Sequence, residues 1–348
     1  MSTSVKAPAK AKRKPRHIVP QACLASLNEP PRSALRWEEG STNEATGVRE
    51  FQAFASINGG EERQVAIISA EPRGKDRFFY RCEKILCFEE FDSDKMRVRS
   101  SFGIYGFNMA DLDTQIGRSV KNVEIMAGNP MYVGRSVSPQ SLEHLSRGPW
   151  GKIQNARALR FDQHGRPDIV TVSTAGHGGY ILSEDATKEM PSPLRSGRCY
   201  EEDCGWSRVA LSFPELFTPL ELYTAQRTLA NYEPDVWEKY FGQELAPGMS
   251  QEKDNRTFLA KHADDYLVVS AITSKDYPDF VEVTAVRGKM TGEMNRHHEA
   301  KHFYVPSEEY SAKSRREPYF VIDLDRHSEE PPCLEVKNEL TEDEAPSP

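Results

Sequence analysis

The chain has 348 residues, 38% of them hydrophobic and 28% charged, with a net charge of −8 and a mean hydropathy of −0.65. That is enough apolar material for one large or two ordinary domains, with polar ends left outside any core. No run of about 18 apolar residues is present, which argues against a transmembrane helix. The charged N-terminus lacks an apolar h-region, which argues against a secretory signal, and Gly and Pro follow no period, which excludes collagen.

Charge is unevenly spread. Residues 1–17 carry +6 with no acid, and residues 328–348 carry −6. Residues 1–45, rich in Pro, Lys and Ser, read as a disordered basic arm. Its cations at 6–16 could touch nucleic acid through phosphates, but an Ala/Lys/Pro arm has no aromatics for base stacking. Residues 327–348 read as a solvated acidic tail.

Residues 46–148 form a β-rich block. EFQAFAS, QVAIISA, RFFYRCEKILCFEE, MRVRSSFGIYGF and VKNVEIMA all favour strands, and Gly59-Gly60 and Gly74 mark hairpin turns, so a mostly antiparallel sheet is expected. SPQSLEHLSRG, 138–148, reads as a short helix.

A mixed strand and helix block over 149–326 follows, making the chain α+β with disordered termini. WGKIQNARALRF and DIVTVSTA read as strands joined at Asp162–Gly165. GHGGYILS and a short helix near 184–190 come next, and EEDCGWSRVALSF reads as a helix ending before Pro214. Thr218, Pro219 and Glu221 give an N-cap, an N1 proline and a capping-box acid. Pro234 opens another helix whose Val236, Trp237, Tyr240 and Phe241 suit a core. Residues 242–256 are breaker-rich and read as a loop. DYLVVSAIT, DFVEVTAVRG, KHFYVP and PYFVIDLD read as strands, and Ser307 caps a short helix over 308–315.

Six cysteines without a secretory signal imply reduced thiols in the cytoplasm. Cys82/Cys87 and Cys199/Cys204 share a spacing wider than a zinc knuckle favours. Cysteines five apart on a strand point to opposite faces, so a structural role is expected.

The strings WGKIQNA (150–156), VTVSTAGHGGYILS (170–183), YEEDCGWSRVALSFPELF (200–217), LANYEPDVWEKYFG (229–242), VVSAITS (268–274), PSEEY (306–310) and FVID (320–323) carry a resemblance. Across roughly 150–325 the chain resembles a domain-of-unknown-function family found in proteobacteria, their plasmids and their phages. It departs at Cys199, where an aromatic residue is expected before Tyr200. The resemblance implies no activity. It implies a setting on mobile DNA, sometimes beside antirestriction genes, which is association and not mechanism.

Two constellations could carry chemistry. In the first, His177 stands between glycines directly after a strand, where the backbone is free and a ligand can approach closely. Tyr200, Glu201, Glu202 and Asp203 stand at a helix start, with Trp206 as a wall. A site here would use His177, Gly178 and Gly179 with Glu202 or Asp203 orienting the ring. The structural alternative has Glu202 or Asp203 capping the helix and the ring bonded to an acid. In the second, His298-Glu299-Ala300-Lys301-His302 matches HExxH, which holds zinc when both histidines share one helical turn and the Glu activates water. Here Val305-Pro306 ends a strand-like run. On a strand the two histidines stand about 13 Å apart, too far for one zinc. No phosphate-loop, dinucleotide or GxSxG signature occurs.

The expectation is therefore a non-catalytic interaction protein of a mobile element with no cofactor and an unidentified protein partner. The alternatives are a metal-dependent hydrolase, using zinc at the HExxH string of 298–302 or a His177, Glu202 and Asp203 site, and a DNA-associated protein using the basic arm.

Overall fold

The computed structural model describes residues 29–73, 78–85, 104–106, 108–145, 148–287, 300–313 and 318–331. The basic cluster at 6–16, Gly74, Cys87, His298, Glu299 and the acidic stretch from 332 lie outside the described residues. The chain divides into two compact units, Met1–Met249 and Ser250–Pro348. Every pairing between the described strands is antiparallel. No described helix is long and apolar enough to cross a membrane.

The first unit opens with a five-stranded meander of β1 (Arg36–Thr42), β2 (Arg49–Ser56), β3 (Glu62–Pro72), β4 (Phe78–Ile85) and β5 (Ile104–Gly106). Asn58 and Gly59 both take positive φ, 53° and 69°, and turn β2 back into β3, as the Gly59-Gly60 signal predicts. Residues 36–42 of the expected arm are thus strand, because Leu35 and Trp37 pack on the sheet's core.

One expected strand is a helix. VKNVEIMA belongs to α1 (Met109–Gly128), capped by the Asn108 side chain accepting the Ala110 N–H. Leu112, Ile116, Val120 and Val123 recur at helical spacing and are all buried against Ala53, Ile68 and Cys82. The β-branched residues suggest a strand locally, and packing on the meander overrides them. Glu124 fastens α1 to the β2–β3 turn by accepting the Asn58 N–H at 2.9 Å.

The second sheet has the order β10-β9-β8-β7-β6, from β6 (Arg135–Ser136), β7 (Asn155–Phe161), β8 (Pro167–Ser173), β9 (Gly178–Leu182) and β10 (Cys199–Glu201). The one-turn helix α2 (Pro130–Val133) precedes it. The expected helix over 138–148 reduces to a 3-10 turn, Pro139–Leu142. Its leucines, Leu142 and Leu145, pack with Val170, Val172 and Ile181 on one face of this sheet. The other face carries Leu159, Ile169, Tyr180 and Leu182. It is covered by α3 (Glu184–Glu189), α4 (Trp206–Ser212), α5 (Pro219–Tyr232) and α6 (Pro234–Phe241).

α5 begins with the expected capping box of Thr218 and Glu221 and the N1 proline. α6 starts at Pro234 and stops at Gly242 in the left-handed conformation. Trp237 and Phe241 are buried with ring centroids 4.6 Å apart. The boundary expected at 148/149 lies within this unit. β6 precedes it and pairs with β7, and the buried Thr218 hydroxyl donates to Asn122 Oδ1 of α1 at 2.5 Å.

The second unit starts in the stretch expected as loop. Ser250 caps α7 (Gln251–Lys261) by accepting the Lys253 N–H. None of its residues is buried, so no apolar stripe announces it. β11 (Tyr266–Thr273), β12 (Phe280–Arg287) and β13 (Ala300–Pro306) form a meander, followed by α8 (Ser307–Lys313). PYFVIDLD, expected as a strand, makes one bridge, Val321 to Leu267. Phe320 and Ile322 instead fill the core above Val283, Phe303 and Val305.

Candidate binding site at the ends of β9 and β10

The β9–β10 register places Gly179 opposite Glu201 and Tyr180 opposite Tyr200. The GHGG turn and the acidic turn therefore emerge at the same end of adjacent strands. Each is tied by one side chain. Thr174 Oγ1 donates to the His177 carbonyl at 2.7 Å and accepts the His177 N–H at 3.2 Å, while the Thr174 N–H donates to the same carbonyl at 2.8 Å. The His177 side chain is left exposed. The turn is thus fixed by Thr174 and not by a bond from the imidazole to an acid.

Glu201 is the capping acid, in place of the expected Glu202 or Asp203. Its carboxylate accepts the Asp203 N–H, and the Cys204 and Gly205 N–H groups at 2.6 Å each. Three backbone donors ahead of α4 otherwise lack partners, and a carboxylate satisfies them with charge-assisted bonds. Asp203 is exposed and Glu202 half-buried. Burial, reinforced by Glu201, Asp203 and Glu233, pushes the Cys204 thiol above its ordinary value.

Gly178 and Gly179 are buried. A Cβ on Gly179 would lie 2.2 Å from the Tyr200 carbonyl oxygen, 2.7 Å from the Trp150 ring and 2.9 Å from Glu201 Cα. The glycine is demanded by this close approach and by φ of 154°. Tyr200 is core: its hydroxyl donates to the Gly197 carbonyl at 3.0 Å and accepts the Ser196 N–H at 3.2 Å. Trp206 packs against Phe217, with centroids 6.4 Å apart, as part of the helical layer. The aromatic wall against the glycines is Trp150. Sequence reasoning missed both Trp150 and Thr174, although both stand in the strings WGKIQNA and VTVSTAGHGG.

Of the residues singled out, His177 and Asp203 face solvent, and Gly178, Gly179, Tyr200 and Glu201 build the support beneath them. Buried charge steadies the same sheet. Arg160 on β7 bonds Asp168 through Nε and Nη2 at 2.6 Å each and Glu189 through Nη1 at 2.8 Å, and its guanidinium lies over Phe213.

The HExxH string ends in strand: Ala300, Lys301 and His302 belong to β13, where exposed His302 pairs with Thr284. Its Nδ1 lies 3.3 Å from Thr284 Oγ1. Two histidines on one helical turn, the geometry the zinc hydrolase reading needs, are incompatible with this extended backbone. Among the described residues no group of three or more His, Cys, Asp or Glu is placed to hold a metal ion. Cys82 is buried in the first core and Cys199 lies against the Val172–Ile181 core.

No curated protein and no solved structure matches the chain. The stretch that holds Trp150, the GHGG turn, the Glu201 cap and the four helices α3 to α6, residues 143–263, matches the family model of a domain of unknown function (DUF7007).

Proposed function

We propose that this chain is a non-catalytic accessory protein of a mobile genetic element, acting in the cytoplasm. It binds a macromolecular partner through the end of β9 and β10, in a counter-defence setting. The observation that carries the reading is the division of labour at that end. Thr174 and Glu201 spend their side chains on backbone groups, while His177 and Asp203 face solvent. Rigid turns that present polar side chains lose little entropy on binding and suit recognition of another surface. The plasmid and phage setting comes from the resemblance of the GHGG and YEEDCGW strings.

The test is affinity capture from the native host by the full chain and by two variants, His177→Ala and Asp203→Lys. Both side chains are exposed, so the thermal midpoint should stay within a few degrees. The reading expects one partner retained by the natural chain and lost by both variants. A partner held equally by all three would place recognition elsewhere.

A further inference from the structure

β11 is an edge strand of the second unit's sheet, and among the described residues only half of its outer edge is paired. Phe320–Ile322 cover the first half: the Val268 N–H donates to the Phe320 carbonyl at 2.9 Å, and the Ile322 N–H donates to the Tyr266 carbonyl at 2.8 Å. A bulge between Val268 and Ser270 then separates this part from the rest. Beyond it, among the described residues, nothing pairs with the outer edge of Val269–Thr273.

The backbone phase of the open half can be worked out. The Ser274 N–H donates to the Phe280 carbonyl at 3.0 Å, so Ser274, Ile272 and Ser270 turn their backbone groups toward β12. Alternation leaves the N–H and C=O of Ala271 and Thr273 pointing outward. Ile272 is 63% exposed and Val269 37%. The stretch Val269-Ser270-Ala271-Ile272-Thr273 holds no charge and no proline, so the bulge at its start is the one edge-blunting device within it.

We infer that this edge pairs with the same edge of a second copy of the chain, antiparallel, with the two-fold axis at Ile272. The outward groups fix the register. Ala271 of one copy exchanges both hydrogen bonds with Thr273 of the other, and the reverse pair completes the ladder. Ile272 then faces its own counterpart as a non-hydrogen-bonded pair, the closer of the two antiparallel arrangements. The most exposed of the large hydrophobic side chains described is thereby covered. Ser270 meets Ser274, and no like charges are opposed from 270 to 274. The result is one continuous six-stranded sheet across an isologous interface. Five residues per copy bury well under the roughly 1,600 Å² of a standard stable interface, so the dimer is a weak one that forms as concentration rises.

The test is sedimentation velocity on the full chain from low to high micromolar concentration. The natural chain should shift from 39.4 kDa toward twice that mass. Ala271→Pro removes an outward N–H, and Ile272→Lys places like charges face to face. Both should remain at the monomer mass at every concentration, with unchanged circular dichroism. Ile272 is so exposed that its variant keeps the test valid even if the proline disturbs folding. Register is read separately: with diamide as oxidant, Ile272→Cys should give a covalent dimer and Ser270→Cys should not, since only position 272 faces itself at a Cα separation suited to a disulfide. A natural chain that stays monomeric throughout, or a dimer untouched by Ile272→Lys, overturns the inference.

Discussion

Gly179 shows how a string of residue letters becomes geometry. The GHGG string is visible in the sequence, but the reason for its last glycine is not. That reason is a carbonyl on β10 and an indole from a loop 29 positions earlier, both too close to admit a Cβ. Gly179→Ala should therefore cost about 3 kcal/mol or more, because the obstruction is backbone and a packed ring. Urea unfolding measures it; a cost under about 0.5 kcal/mol would mean that the strands separate freely. Asp162 is a second residue with a defined chemistry. The N–H of Arg166, with the Arg166 side chain and the His164 N–H, lowers its carboxyl to about 2. A carboxyl lowered on folding stabilises above the unfolded value near 4 and loses that contribution as pH falls through about 2. A carboxyl carbon NMR titration should find Asp162 ionised at pH 3, and a midpoint near 4 would deny the turn its hydrogen bonds. The assignment of the capping acid could not come from the sequence: Glu201, Glu202 and Asp203 are chemically alike, and only the exit of β10 decides which one turns back on the chain.

The elements divide by how local their signals are. α5 and α6 were legible because Thr218, Glu221, Pro234 and Gly242 act on backbone groups within four residues. The β2–β3 and β7–β8 hairpins were legible through alternation and glycine turns. α1 was not, since Val120, Val123 and Ile125 favour strands and the deciding term is burial against the meander. α7 was missed for the opposite reason, having no buried face at all. The seam between α1 and α5 gives a quantitative expectation. Thr218 both caps α5 and donates to buried Asn122. Asn122→Ala and Thr218→Ala should each cost about 1–3 kcal/mol, and the double variant should cost less than their sum. Strict additivity in a double-mutant cycle would mean that the two side chains do not interact.

At the scale of the molecule, the part of the family-matched stretch in the first unit shares its sheet and a buried bond with the chain before it. Its sheet takes β6 from the preceding chain, and α1 meets α5 through a buried hydrogen bond. A fragment of residues 29–249 should unfold in one cooperative transition, whereas residues 149–249 should show exposed apolar surface and no sharp transition. Dye binding and calorimetry compare them, and a cooperative 149–249 fragment would show that β6 and α1 are dispensable. This sharing is not legible in the sequence, because the pattern changes at Trp150 whereas the second sheet already begins with β6 at Arg135–Ser136.

The account rests on two turns held ready by Thr174 and Glu201, and amide hydrogen exchange of the free chain tests that most directly. The amides of His177, Asp203, Cys204 and Gly205 should exchange well below unstructured rates. Glu201→Ala should release the three amides from 203 to 205 and lower stability by about 1–3 kcal/mol, while leaving His177 protected. Exchange of all four at unstructured rates in the natural chain would contradict the preorganised surface on which the proposed function depends.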